Sequence, residues 1–166
     1  MTTVILETHN ISDYLADKSN RKRFAFLDGK RDWLGIVNDL VAYGLTGGRL
    51  VVAMDDDILA GCFAHNPVGP TNPCYSDEFL QELGDGARAV YRHNIWVRPE
   101  YRGRGLAQQM LAAHIDDATS HGYTHSVGFM PQTEEIARWA YALPNGLTFM
   151  AARDRHGGKI TCRRLV

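Results

Sequence analysis

The residues best placed to do chemistry form one short string, Arg102-Gly103-Arg104-Gly105-Leu106-Ala107. A strand-like run, residues 89–97, precedes it, and an amphipathic helical run, residues 106–120, follows it. The first N–H groups of a helix have no partner inside the helix, and they carry the positive end of its dipole. Glycine has no side chain, so an anion can lie against the backbone at 103 and 105. A glycine turn that opens a helix is therefore an anion cradle. Arg102 and Arg104 add guanidinium donors suited to a pyrophosphate or a ribose phosphate.

Spacing excludes two phosphate turns. A Walker loop needs GxxxxGK[ST], which the chain lacks. A dinucleotide fingerprint needs a third glycine and an early strand, whereas here the third glycine is missing and the strand comes late. An RGG-type nucleic-acid segment would be repeated, and this string is single.

The strand before the turn also carries an ionisable group. His93 lies four residues before Val97, so a period of two puts Tyr91, His93, Ile95 and Val97 on one face. Imidazole has the unperturbed pKa for reversible proton transfer near neutral pH. His93 reads either as a proton acceptor or as a half-buried sheet histidine. Glu78 and Glu82, on a helix expected over 76–83, are alternative bases. Cys62, Cys74 and Cys162 form no CxxC pair, and no motif sets a base beside them as nucleophile activation requires. Their odd count reads as reduced thiols, and the scattered histidines give no metal-ligand spacing, so no metal is expected.

Other elements must position these groups. Val4 to Glu7 reads as a strand, followed by a helix near Asp13 capped by Asn10 or Ser12. Trp33, Ile36, Val37, Leu40 and Val41 make a helical stripe ended by Gly44, Gly47 and Gly48. Residues 49–54 and 58–64 read as a hairpin around Asp55-Asp56-Asp57, and 66–73 as a proline-rich loop. A short helix capped by Ser76 turns Phe79, Leu80 and Leu83 inward. The helix over 106–120 turns Leu106, Met110, Leu111 and Ile115 inward and leaves Asp116 and Asp117 in solvent. A strand over 126–130, a helix over 133–143 and a hairpin of 148–152 with 160–165 close the chain. This order predicts a mixed α/β central sheet with helices on both faces, in one domain over residues 1–166.

Val97-x-Pro99-x-Tyr101-Arg102-Gly103-x-Gly105-x-Ala107 closely resembles the acyl-CoA-binding motif of the GNAT (GCN5-related N-acetyltransferase) superfamily, R/Q-x-x-G-x-G/A. The element layout resembles that family over nearly the whole chain. The resemblance implies acetyl-CoA as donor, with its pyrophosphate on the N–H groups of 103–107. It also implies a pantetheine arm paired with the backbone of Ile95, Trp96 and Val97, and a thioester carbonyl facing an N–H near Val97. Ala137-Arg138-Trp139-Ala140-Tyr141 resembles the family's A-x-x-x-Y, which implies Tyr141 as proton donor to the CoA sulfur; otherwise Tyr141 packs at a helix end. Leu143-Pro144-Asn145-Gly146-Leu147 departs from the family's short leucine-glycine-phenylalanine ending. Members resembling arylalkylamine N-acetyltransferases carry a histidine at the offset of His93, but their second histidine falls at Tyr91.

The expected activity is direct transfer of an acetyl group to an amine, a small molecule or a protein, in a ternary complex. A non-catalytic acyl-CoA-binding module and an enzyme using another acyl-CoA are the alternatives. A net charge of −1 offers no long-range attraction to nucleic acid or an anionic membrane. No run approaches the ~18 apolar residues of a membrane span, and no signal peptide is visible, so a cytoplasmic protein is expected. Pairing of edge strands or of the last hairpin would make a homodimer.

Overall fold

The structure is a computed structural model and describes residues 4–24, 40–129 and 148–165. The chain divides into two compact units. One comprises residues 1–66 and 93–117, and the other residues 67–92 and 118–166.

In the first unit, β1 (Ile5–Asn10) pairs antiparallel with β2 (Arg49–Asp55). β2 pairs antiparallel with β3 (Ile58–Pro67) through a hairpin, and β4 (Ala89–Val97) lies beside β3. Asn10 accepts the N–H groups of Ser12 and Asp13 and so starts α1 (Ile11–Ala16), as its side chain predicts. Asp17 caps α2 (Lys18–Arg23), which puts Arg21-Lys22-Arg23 in a last turn, where cations favour the helix dipole. Residues 40–45 are helical and end at Gly47 and Gly48; the rest of the expected stripe, 33–39, lies outside the described residues. Ile11, Phe24, Leu40, Leu50, Val52, Leu59 and Cys62 form the core of this unit.

The register of the β2–β3 hairpin sets up a charged cluster. Arg49 stands opposite His65, so the two side chains share a face. Both reach Asp117 on α4 (Leu106–Ser120): the Arg49 guanidinium donates two bonds of 2.6 and 2.7 Å, and His65 Nε2 lies 3.4 Å away. His65 Nδ1 in turn is 3.0 Å from Nδ1 of His114, one turn back on the same helix. Asp117 is therefore a packed ion-pair residue and not the solvated one expected. The inner stripe of α4 is Leu106, Met110, Leu111 and His114, with Ile115 only half-buried.

In the second unit, the start of β4 pairs parallel with β5 (His125–Phe129). β5 pairs antiparallel with β7 (Lys159–Arg164), and β7 with β6 (Thr148–Arg153). Parallel and antiparallel ladders thus coexist, as the expected mixed α/β class requires. Ser76 accepts the N–H of Phe79 and caps α3 (Asp77–Leu83). Phe79 is buried, but Leu80, expected inward, is exposed. The core holds Cys74, Phe79, Tyr91, Val127 and Ile160.

Asp117 also defines a test of this packing. Burial alone would raise its pKa; the neighbouring His65 imidazole and the two hydrogen bonds from Arg49 outweigh burial and hold it at about 2, below the ordinary 3.8. Its stabilising effect is therefore complete above about pH 4 and lost as pH falls through 2. We expect Asp117→Ala to cost roughly 2 to 3 kcal/mol at neutral pH, because it strands a guanidinium that made charged hydrogen bonds. Urea unfolding would show a lower midpoint at unchanged slope; an unchanged midpoint would show the cluster to be energetically idle.

Candidate functional site

β4 ends at Val97, and α4 begins at Leu106. Between them a 3₁₀ turn, Pro99–Tyr101, leads into the two glycines. Gly103 and Gly105 have φ of 72° and 73°, in the left-handed region that side chains resist. The Gly105 carbonyl accepts the Gln109 N–H, so Gly105 is the residue from which α4 starts. Its own N–H and those of 106–108 are then the ones a helix leaves without an internal partner. A Cβ at Gly103 would meet no atom within 4 Å, and one at Gly105 only the Gln108 and Gln109 side-chain ends at 3.8 and 4.0 Å. The glycines open space above the helix start instead of relieving a crowded contact. That shape and polarity fit a phosphate.

Several bonds fix this turn in place. Arg98 donates its backbone N–H to Ala60 O at 2.8 Å and its Nε to Leu59 O at 3.1 Å, both on β3. Tyr101 is buried, and its hydroxyl donates to Asp55 Oδ2 at 2.6 Å at the hairpin tip. Arg102 Nε donates to Val97 O at 3.1 Å, which closes the turn across its own base. The Arg104 guanidinium lies 5.4 Å from the Tyr101 ring centre, in cation–π contact. Arg102 and Arg104 are otherwise exposed.

His93 lies on β4 beside the end of β3. Its Nε2 is 2.7 Å from Asn66 Oδ1, and the Tyr43 ring stacks on it at 3.5 Å and 15°. Burial, helped by the charge of His65, pulls its pKa down from 6.5 to about 3, so the imidazole is neutral at physiological pH.

The sequence profile of the Acetyltransferase (GNAT) family matches residues 12–145. The chain belongs to that family. A search among curated proteins finds no match. Among solved structures, the fold is similar to that of a GNAT-family acetyltransferase of Staphylococcus aureus Mu50. That pair has a TM-score of 0.63 and 10% identity, covering 99% of this chain and 100% of that one. It is also similar to yncA of Salmonella typhimurium, solved with its cofactor acetyl-CoA (TM-score 0.59, 18% identity, 99% and 95% covered). A third similar structure is AAC(6')-Iy in complex with a bisubstrate analogue, CoA-S-monomethyl-acetylneamine (TM-score 0.56, 18% identity, 84% and 88% covered).

Within this GNAT chain, the expected residues Arg102, Gly103, Arg104 and Gly105 lie between β4 and α4, Leu106 and Ala107 are the first two residues of α4, and Ile95, Trp96 and Val97 form the end of β4. Tyr141 falls in 130–147, outside the described residues, as does the helix expected over 133–143. Glu82 is engaged elsewhere: its carboxylate accepts the N–H groups of Ala151 and Ala152, each at 2.8 Å. Burial pushes the Cys62 and Cys74 thiols up to about 12, which leaves them protonated and poorly nucleophilic. Sequence reasoning missed Tyr43, Asn66, His65, His114 and Tyr101. Two of them had a visible signal: His114 falls four residues after Met110 on the stripe, and Tyr101 stands in the motif string. No helix among the described residues is long and apolar enough to cross a membrane.

The low pKa of His93 makes a pH prediction. Between about 3 and 6.5 the unfolded chain binds this proton and the folded chain does not. Its contribution to stability is therefore complete above 6.5 and declines as pH falls from there toward 3. Replacing His93 by Phe should flatten the dependence of unfolding free energy on pH in that window. A slope identical to wild type would place the His93 titration near its ordinary value.

Proposed function

We propose that this protein, acting as one domain over residues 1–166, transfers the acetyl group of acetyl-CoA directly to an amine. The observation that carries the reading is the open helix start at Gly105 at the end of β4, in a chain of the GNAT family. Its relatives in fold include structures solved with acetyl-CoA and with a CoA bisubstrate analogue. The pyrophosphate would rest on the N–H groups at the start of α4, with Arg102 and Arg104 beside it. The pantetheine arm would follow the backbone of Ile95 to Val97.

The chemistry asks for little more. The amine nitrogen attacks the thioester carbonyl, the C–S bond breaks, the amine loses a proton, and the thiolate gains one. A donor N–H near Val97 would steady the oxyanion. We assign His93 as the group that takes the amine proton and Tyr141 as the group that protonates the departing sulfur. His93 is neutral at physiological pH and so is in the form that can accept. Both substrates bind together, so no acyl-enzyme is required.

The test is release of free CoA thiol from acetyl-CoA in the presence of a panel of primary amines, small molecules and peptides. Turnover with at least one amine is expected. Tyr141→Phe and His93→Ala should each lower kcat by roughly 10²- to 10⁴-fold, with the KM for acetyl-CoA nearly unchanged. Binding of acetyl-CoA without turnover on any amine would make the protein an acyl-CoA-binding module. Unchanged kcat in either variant would remove that residue from the mechanism.

A further inference from the structure

A chain of hydrogen bonds runs from the backbone to His93, and its direction is set from one end. The Tyr43 carbonyl can only accept. The Thr46 hydroxyl donates to it at 2.9 Å, which uses the one hydroxyl proton. Thr46 Oγ1 is then an acceptor, and Asn66 Nδ2 donates to it at 3.1 Å. That contact orients the amide, so Asn66 turns its carbonyl oxygen toward β4. A carbonyl oxygen cannot donate. The 2.7 Å contact between Asn66 Oδ1 and His93 Nε2 therefore needs the proton on Nε2. The Tyr43 ring, stacked on the imidazole, holds the plane in which this bond is made.

We infer that Thr46 and Asn66 are positioning residues that hold neutral His93 as its Nε2–H tautomer, so that Nδ1 is the nitrogen that receives a proton. The inference deepens the proposed function and rests on its reading of His93 as base. A proton taken from the amine nitrogen would form a bond to Nδ1, and the ring would become an imidazolium that keeps its Nε2–H on Asn66. The bond to Asn66 strengthens as the charge develops, because a charged donor makes a stronger hydrogen bond. This offsets part of the handicap of a half-buried, weakly basic imidazole. Among the described residues, Asn66 of β3 and Tyr43 of the helical residues 40–45 contact the ring; the charge of His65, on the other face of β3, acts on it through space, and His65 in turn bears on His114 and Asp117 of α4.

Histidine-¹⁵N NMR on the full chain tests this without any acceptor, the His93 signals being assigned by their loss in His93→Gln. At neutral pH, wild type should show Nδ1 in the pyridine-type range and Nε2 in the pyrrole-type range. Asn66→Leu and Thr46→Val should each move both signals toward the averaged values of a tautomer mixture. Asn66→Asp keeps an acceptor and adds a charge that raises the His93 pKa, so acid titration should be followed easily and should add its proton at Nδ1. A wild-type Nδ1–H tautomer, an unchanged tautomer in Asn66→Leu, or protonation of the Asp variant at Nε2 would overturn the inference. If His93→Ala keeps full kcat, the base assignment falls, while the nitrogen shifts still decide the tautomer.

Discussion

A helix must leave four N–H groups at its start without internal partners, and here the residue at that start is glycine. Gly105 has no side-chain oxygen to cap them, and its φ of 73° excludes most residues that could. The site depends on that constraint. The positive end of α4 keeps its hydrogen-bonding capacity. Arg98, Tyr101 and Arg102 bond backward to β3, to the hairpin tip and to Val97, so the connection is fixed without spending those N–H groups.

β3 contributes on both of its faces. Successive residues of a strand point to opposite sides. His65 points to α4 and joins Arg49, His114 and Asp117; Asn66 points to β4 and meets His93. One strand end therefore secures α4, the helix of the proposed phosphate cradle, and meets the imidazole on the neighbouring strand. The side chains of His65, Asn66, His114 and Asp117 are buried. In a low-dielectric setting such bonds hold strongly when complete and cost dearly when one partner is removed. The proposed proton acceptor and the turn of the proposed phosphate cradle are thus both braced by bonds to β3.

The turn between β4 and α4 was legible because glycine and proline punctuate it. Ala89–Val97 and Leu106–Ser120 have the limits that alternation and helical spacing predicted. Asn10 and Ser76 also act as the helix caps their side chains suggested. The other half of the site was not legible. Asn66-Pro67 reads as the start of a loop, yet β3 continues through Pro67 and carries Asn66 to His93. Arg49 and Asp117 are 68 residues apart, and only the register that sets Arg49 opposite His65 brings them together. Aspartate on a helix is usually solvated, so residue type alone pointed the wrong way at Asp117. Leu80 was misplaced because the inward stripe of this short helix runs through Phe79 and Leu83, four residues apart, and leaves Leu80 beside it.

In the proposed complex the helix start at Gly105 holds the phosphates of CoA. Thermal unfolding of wild type and Gly105→Glu, with and without free CoA at about millimolar concentration, tests it most directly, since a ligand bound only by the folded state raises Tm by mass action. The glutamate would add bulk and like charge to an open turn outside the core. CoA should raise the Tm of wild type more than ATP or NAD does, and should leave the folded Gly105→Glu variant unshifted. No shift of wild type by CoA, or an equal shift in the variant, would contradict it.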